Sequence, residues 1–275
     1  MSQNQGTQER ADMPTTAVVI PTYDERENLP RIVARALAAT GDEVHLLVVD
    51  DASPDGTGDV ADAIAAREPR VHVLHRPGKE GLGHAYLAGF AWALDAGYEA
   101  VVEMDADGSH RPEDLPRLLG QLADHDLALG SRWVPGGRVE NWPASRLLLS
   151  RGGNWYTRAA LGIRVSDATG GFRAFRADAL RRIHLDLVAS HGYSFQVDLV
   201  WRALQAGLTV VEVPIVFTER TSGVSKMSRG IVGEALVRVT WWGLRRRLRG
   251  AVELVLHRRR LPSVREGSSR TPAAG

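Results

Sequence analysis

Ala100-Val101-Val102-Glu103-Met104-Asp105-Ala106-Asp107-Gly108-Ser109-His110 joins a short apolar, β-branched run to two carboxylates and a glycine. The run reads as a buried strand. Alternation along an extended chain points residues i and i+2 the same way, so Asp105 and Asp107 share one side at its end. Two like charges facing one side repel unless a cation lies between them. A hard divalent cation such as Mg²⁺ is the usual solution, held by one or two carboxylates plus substrate phosphates. The plainer alternative is a strand end whose aspartates start the next helix, since Arg111-Pro112-Glu113-Asp114-Leu115 reads as a loop entering one.

The same pattern recurs upstream. Thr16-Ala17-Val18-Val19-Ile20-Pro21 is a buried strand stopped by proline, followed by the polar loop Thr22-Tyr23-Asp24-Glu25-Arg26-Glu27-Asn28. Leu29, Ile32, Val33, Ala36 and Leu37 then have helical spacing, with Gly41 as the stop. Val44-His45-Leu46-Leu47-Val48-Val49 is a second strand and ends in Asp50-Asp51-Ala52-Ser53-Pro54-Asp55-Gly56-Thr57, with a helix over 57–66. Val71-His72-Val73-Leu74-His75 is a third, followed by the basic, glycine-rich loop 76–83 and a helix over 84–96. Strands alternating with helices predict a parallel, doubly wound α/β sheet. Such sheets bind ligands outside the carboxyl ends of their strands. Three polar strand ends, at Pro21 to Glu25, Asp50 to Asp55 and Asp105 to Ser109, therefore converge on one edge. A dinucleotide fold would carry Gly-x-Gly-x-x-Gly after the first strand. Pro-Thr-Tyr-Asp-Glu stands there instead.

The second half is less regular. It reads as a helix over 115–123, a strand over 127–132 ending in Arg132, and a Gly/Pro-rich loop over 134–142. A helix over 146–161 follows, carrying Arg146, Ser150, Arg151 and Arg158. Residues 167–176 turn into a β-rich segment, 193–206 read as a helix, and 208–216 as a strand. The loop beyond it puts Arg220 and Lys226 on small-residue backbone suited to phosphate contact.

The 275 residues, 44% apolar and 24% charged, fit one large soluble domain with appendages, and a net charge of +1 makes no global case for nucleic acid. There is no cysteine, which excludes disulfides and thiolate metal sites, and the nine histidines show no ligand spacing; His84, His110 and His191 read as loop or helix residues. Residues 1–14 are polar, unlike a signal peptide, and no apolar run reaches the roughly 20 residues of a membrane span. The expected layout is a disordered tail (1–14), a catalytic domain (15–228), basic amphipathic helices at the membrane interface (229–260) and a disordered tail (261–275). Between Arg245 and Arg260 seven arginines stand against one glutamate, next to Trp241 and Trp242. Tryptophan with arginine clusters on an amphipathic helix suits the surface of a membrane. This predicts peripheral association at a cytoplasmic membrane face; a helix packed on the body with a solvated basic face is the alternative.

Val19-Ile20-Pro21-Thr22-Tyr23-Asp24-Glu25-Arg26-Glu27-Asn28-Leu29 resembles the opening motif of inverting nucleotide-sugar glycosyltransferases of the GT-A fold. Val48-Val49-Asp50-Asp51-Ala52-Ser53-Pro54-Asp55-Gly56-Thr57 resembles their second motif, and Asp105-Ala106-Asp107 their metal-binding triplet. Gly130-Ser131-Arg132, Thr169-Gly170-Gly171-Phe172-Arg173 and Arg220-Thr221-Ser222-Gly223-Val224-Ser225-Lys226 resemble one branch, the polyprenol-phosphate (dolichol-phosphate) mannose synthases, so the resemblance spans residues 18–226.

The resemblance implies a GT-A, Rossmann-like sandwich around a mostly parallel sheet, with GDP-mannose as donor, a polyprenyl monophosphate as acceptor, and inversion. It assigns Pro21, Tyr23, Glu25, Asp50, Asp51, Asp105, Ala106, Asp107, Arg220 and Lys226 to the donor. Arg132, Arg146 and Ser150 fall to the acceptor phosphate, with Asp107 and Arg132 in catalysis and Asp105 and Asp107 on Mg²⁺ or Mn²⁺. Ser109 stands where relatives carry a metal-ligating glutamine; its shorter hydroxyl leaves direct ligation open and room for a water. An ionised acceptor phosphate is its own nucleophile, so no dedicated base is required. The alternatives are transfer of glucose or another sugar to the same lipid and a non-catalytic nucleotide-sugar sensor. This reading leaves room for a membrane protein acting with the enzyme, and nucleic acid is disfavoured by the Trp and Leu content of the basic segment and by the acidic strand ends.

Overall fold

The computed structural model describes residues 15–188, 193–219, 233 and 236–248. Its centre is a seven-stranded sheet in the order β3-β2-β1-β4-β7-β5-β8. β1 (Thr16–Thr22), β2 (Val44–Asp50), β3 (Val71–His75) and β4 (Ala100–Glu103) are mutually parallel, with Thr22 opposite Asp50 and Val19 opposite Glu103. All three acidic strand ends therefore lie on one edge of the sheet, as the alternation of strands and helices predicts.

The near-continuous apolar strands are covered on both faces, as a parallel sheet requires. α1 (Leu29–Ala39), α2 (Thr57–Ala65) and α4 (Leu115–Gly120) cover the side chains of Val18, Ile20, Leu46 and Val48. α3 (Leu82–Asp95), α5 (Ala144–Leu161), α6 (Ala177–Arg182) and α7 (Tyr193–Gln205) cover Ala17, Val19, Leu47 and Val49. A Cβ on Gly89 of α3 would fall 2.3 Å from Val19 Cγ1, so that helix lies unusually close to β1.

The second half departs from the simple alternation. β7 (Arg173–Arg176) inserts antiparallel between β4 and β5 (Leu127–Ser131), placing Arg173 opposite both Glu103 and Leu129. The loop before β7 is thereby carried to the acidic edge. The strand expected over 208–216 divides into β8 (Val210–Pro214), on β5, and β9 (Val216–Thr218), which pairs with β6 (Arg138–Glu140) in a separate ribbon. The division falls at Ile215, whose N–H bonds Ser131 O at 3.0 Å. β6 and α6 have no counterpart in the sequence reading, because three- and six-residue elements carry too little periodicity to register.

Residues 236–248 are helical and dock on α5. Tyr156 and Thr240 share a hydroxyl hydrogen bond of 2.5 Å, and a Cβ on Gly243 would fall 2.3 Å from Ala160 O. Arg246 donates to Leu161 O, Arg247 donates to Ala159 O, and Val239 is buried. One face of the basic segment thus packs on the body, while Leu236, Val237, Trp241, Leu244 and Leu248 remain exposed. Among the described residues no helix is long and apolar enough to cross a membrane.

Candidate active site

β4 delivers its acids into a tight, internally bonded loop. Gly108 takes φ +75°, the left-handed turn that a side chain resists. The turn brings Ser109 N–H back to Asp107 Oδ1 at 3.0 Å. Tyr86 O–H donates to Asp105 Oδ1 at 2.9 Å, and burial beside Asp105 raises the phenol's pKa well above its ordinary value. His110 is fully buried and stacks on Phe172 at 5.1 Å. Its Nδ1 accepts the Asp105 N–H at 3.1 Å, and burial lowers its pKa, so it acts as a neutral brace for the loop.

Asp107 and Ser109 are both buried, and the Ser109 hydroxyl has no hydrogen-bond partner among the described residues. Two carboxylates beside an orphaned hydroxyl form an all-oxygen donor set that fits a hard divalent cation. Among the described residues no group of three or more His, Cys, Asp or Glu gathers to hold a metal, so the donor set here is two carboxylates and a hydroxyl.

The neighbouring strand ends divide their work. Asp50 accepts from the Thr22 hydroxyl at 3.1 Å, the Ser53 hydroxyl at 2.6 Å and the Ser53 N–H at 3.1 Å, so it builds the turn. Asp51 pairs with Arg76 at 2.5 Å; burial nevertheless raises its pKa against the pull of that cation. Glu25 is bonded by the Asn28 side chain at 2.7 Å, and its N–H reaches Thr57 Oγ1 at 3.0 Å. The Lys79 ammonium lies 3.7 Å from the centre of the Tyr23 ring. This aromatic–cation pair, with Pro21 at the end of β1, borders the acidic edge.

The other side is a wall of arginines and indoles. Arg132, at the end of β5, is clamped by Asp167 through Nε and Nη2, both at 2.6 Å, and bonds Thr169 Oγ1 at 3.0 Å. Burial pushes the Asp167 carboxyl upward, but the charge and hydrogen bonds of Arg132 outweigh it and the net shift is down. Arg132 lies 5.3–5.6 Å from the rings of Trp133, Trp142 and Phe217. Arg146 covers Trp142 at 4.2 Å and is bonded to Glu219, and Arg151 covers Trp133 at 5.0 Å. The buried Nε1–H groups of Trp133 and Trp142 have no acceptor among the described residues. Phe217, 5.4 Å from both His110 and Trp142, joins this wall to the acidic loop.

The structure therefore brings together Asp105, Ala106, Asp107 and Ser109 on one side, and Arg132 and Arg146 on the other. Ser150 lies one turn beyond Arg146 on α5, where its carbonyl accepts from the Asn154 side chain at 3.1 Å. Arg220 and Lys226 lie outside the described residues. The sequence reading passed over Tyr86, Trp133, Trp142, Asn154 and Asp167. Their roles come from contacts between residues far apart in the chain, and only the Trp–Arg adjacency at Arg132-Trp133 was visible in advance.

A mostly parallel sheet with an Asp-x-Asp loop on its carboxyl edge, walled by donors, defines a glycosyltransferase of the GT-A type. Residues 17–184 match glycosyl transferase family 2, and the chain belongs to that family. It is 58% identical over 235 residues to the polyprenol monophosphomannose synthase of Mycolicibacterium smegmatis, covering 85% of this chain and 88% of the relative. It is 57% identical over 232 residues to the undecaprenyl-phosphate mannosyltransferase of Micrococcus luteus, covering 84% of this chain and 95% of the relative. Its fold is shared with glucosyl-3-phosphoglycerate synthase from Mycobacterium tuberculosis in complex with Mn²⁺ and UDP-glucose (TM-score 0.62, 20% identity, 90% of this chain and 83% of that one). It is also shared with a mannosyltransferase from Pyrobaculum calidifontis in complex with GDP-Man and Mn²⁺ (TM-score 0.55, 20% identity, 86% of this chain and 65% of that one).

Proposed function

We propose that this glycosyltransferase moves mannose from GDP-mannose to a polyprenyl monophosphate, with inversion at the anomeric carbon. The observation that carries this reading is the wall opposite the acids, which consists of donors: three arginines over two half-buried indoles whose N–H groups have no acceptor among the described residues. Such a wall suits an anionic acceptor. The described carboxylates nearby are poor bases. Asp167 is tied to Arg132, Asp198 is bonded to Arg202 at 2.8 Å, and Glu103 is fully buried, out of reach of an acceptor. An acceptor already ionised needs no base. The mannosyltransferase relatives with polyprenol or undecaprenyl-phosphate in their names support the same acceptor.

In this reading Asp105 and Asp107 hold Mg²⁺ or Mn²⁺, with Ser109 contributing its hydroxyl or a bound water. A cation held there would neutralise charge on the departing diphosphate. Pro21, Tyr23 and Glu25 border the nucleoside, with Asp50 and Asp51 shaping that edge, and the motif resemblance assigns Arg220 and Lys226 to the diphosphate. Arg146, Ser150 and the indole N–H groups receive the acceptor phosphate, while Arg132 is held rigid by Asp167. A phosphate oxygen forms a bond to the anomeric carbon as the bond to GDP breaks on the opposite face, its electron pair leaving with GDP. An α-linked donor thus gives a β-linked product.

The lipid reaches this wall from a membrane surface on the same reading. Leu148 and Trp155 of α5 are 75% and 69% exposed, and Val237 of the docked helix is 70% exposed. Trp155 and Leu244 line one groove between the two helices, joining their apolar surfaces. Arg151, Arg158 and Arg245 are set among them, as in a segment lying in a lipid interface. Flotation with anionic vesicles, reduced in high salt, is the expected result; indifference to vesicles would contradict it.

The activity is tested with radiolabelled GDP-mannose, Mn²⁺ and a polyprenyl phosphate, followed by solvent extraction. Label in the lipid phase is expected. Label from UDP-glucose with none from GDP-mannose would replace the donor assignment.

A further inference from the structure

Asn154 lies in the interior of α5, one turn beyond Ser150 and two beyond Arg146, and is 2% exposed. Residues four apart share a helix face, so the three follow one another along one side of α5. Asparagine is a poor choice for a helix interior, because its amide competes with the backbone for hydrogen bonds. Here the amide is committed elsewhere.

Oδ1 accepts the Ala168 N–H at 2.9 Å. Nδ2 donates to Ser150 O and to Thr169 Oγ1, both at 3.1 Å, with Asp167 Oδ1 beside them at 3.4 Å. An amide turned end for end would set Oδ1 against the Ser150 carbonyl and Nδ2 against the Ala168 N–H, so its partners fix its orientation. The Thr169 hydroxyl is fully used as well. It accepts from Asn154 and from Arg132 Nη2, the latter at 3.0 Å, and donates to Asp167 Oδ1 at 3.3 Å.

These bonds join two parts of the cleft wall. Ser150 belongs to α5, while Asp167, Ala168 and Thr169 belong to the loop between α5 and β7. That loop has its own supports. Glu212 of β8 accepts the Ser166 N–H at 2.7 Å and the Asp167 N–H at 2.9 Å, and Arg173 donates to Ala168 O at 2.8 Å and Gly170 O at 2.7 Å. From the loop, Asp167 clamps Arg132. Asn154 therefore ties the helix that carries Arg146 and Ser150 to the loop that holds Arg132.

We propose that Asn154 is a positioning residue for the acceptor. Through Thr169, its amide sets the span between Arg132 at the end of β5 and Arg146 with Ser150 on α5, so that both sides close on one phosphate. The proposal rests on the acceptor being an anion received by this wall, and it adds what spaces the groups that receive it. Charge-assisted hydrogen bonds weaken steeply when stretched or bent, and a misplacement of about 1 Å can cost on the order of a hundredfold. The donor side does not depend on this tie, because Glu212 and Arg173 hold the loop without Asn154.

Two variants separate this role from a structural one, assayed with a short-chain isoprenyl phosphate so that membrane attachment does not enter. Thr169→Val keeps the side-chain shape and breaks the relay. Its KM for the acceptor should rise about five- to tenfold, the value of one hydrogen bond, with the KM for GDP-mannose within about twofold of wild type. Asn154→Ala removes the whole tie and should raise the acceptor KM by roughly tenfold or more, again sparing the donor KM. Since the two residues act in one relay, the double variant should lose no more than about twofold beyond Asn154→Ala. A lowered thermal midpoint with both KM values unchanged would overturn the proposal, because the amide would then order only the fold. Equal rises in the two KM values would overturn it too, as would losses that multiply in the double variant. If wild type transfers mannose to an acceptor other than a polyprenyl phosphate, the acceptor reading fails instead, and the same split measured with that acceptor decides the role of Asn154.

Discussion

The two sides of the cleft are assembled in opposite ways. The acidic side is built mainly from one window: Asp105, Asp107, Ser109 and His110 lie within six residues, with hydrogen bonds to one another and to Tyr86 of α3, and one long-range bond from Thr218 N–H to Ser109 O at 3.2 Å. The arginine–indole side is long-range. Arg132 depends on Asp167, 35 residues away, and Arg146 on Glu219, 73 residues away. A local loop tolerates the loss of one charge because its backbone remains bonded. A side that depends on a buried ion pair, Arg132–Asp167, does not, since removing one partner strands the other.

The largest expected effect separates function from stability on the acidic side. Asp107→Ala should reduce GDP release from GDP-mannose at least 10³-fold, the scale of losing a principal electrostatic group, while leaving the thermal midpoint near wild type. Near-normal turnover would remove the cation from this loop.

Asp167→Asn should do the reverse. It leaves Arg132 buried without its counter-charge, at a cost of about 3–5 kcal/mol in chemical denaturation. The Asp167 pKa is lowered in the fold, so its contribution is present above the ordinary carboxylate range and lost as pH falls through the folded value. The gap between wild type and variant should therefore be widest near neutrality and close in strong acid. A gap independent of pH would mean that the pair is not ionic.

Trp142→Phe keeps the ring over which Arg146 lies but deletes an unpaired indole N–H. Its KM for the lipid phosphate should rise roughly fivefold, the value of one modest hydrogen bond, with the KM for GDP-mannose unchanged. A change confined to the donor KM would move Trp142 to the other side of the cleft. The smallest effect is expected from Glu219→Gln. Glu219 competes with phosphate for Arg146, so the lipid KM should fall by about twofold, as for a partly exposed ion pair.

The same contrast explains what could be read from the chain. The four parallel strands, their polar ends and the Asp105–Asp107 pair are written in short windows: an apolar run, a polar loop, a helical repeat. The inserted antiparallel β7 is not, because its direction is set by pairing with β4 and β5 rather than by its own residues. Arg132 was recognisable from motif resemblance, but its partner Asp167 looked like an ordinary turn residue. Asn154 gave no signal, since the partners of a buried amide are a property of its surroundings. His110 reads from sequence as a loop or helix residue, and it lies in the loop after β4. Its burial and its bond to Asp105 N–H follow only from the packing of Phe172 and Phe217 around it.

The account rests on a cleft with acids for the donor, donors for an ionised acceptor, and no base between them. Its most direct test offers the enzyme radiolabelled GDP-mannose and Mn²⁺ with either a polyprenyl phosphate or the corresponding free polyprenol, and measures label extracted with the lipid. Transfer to the phosphate and none to the alcohol is the predicted result. Comparable transfer to the alcohol would show that a base is present and would contradict the assignment of the arginine–indole wall.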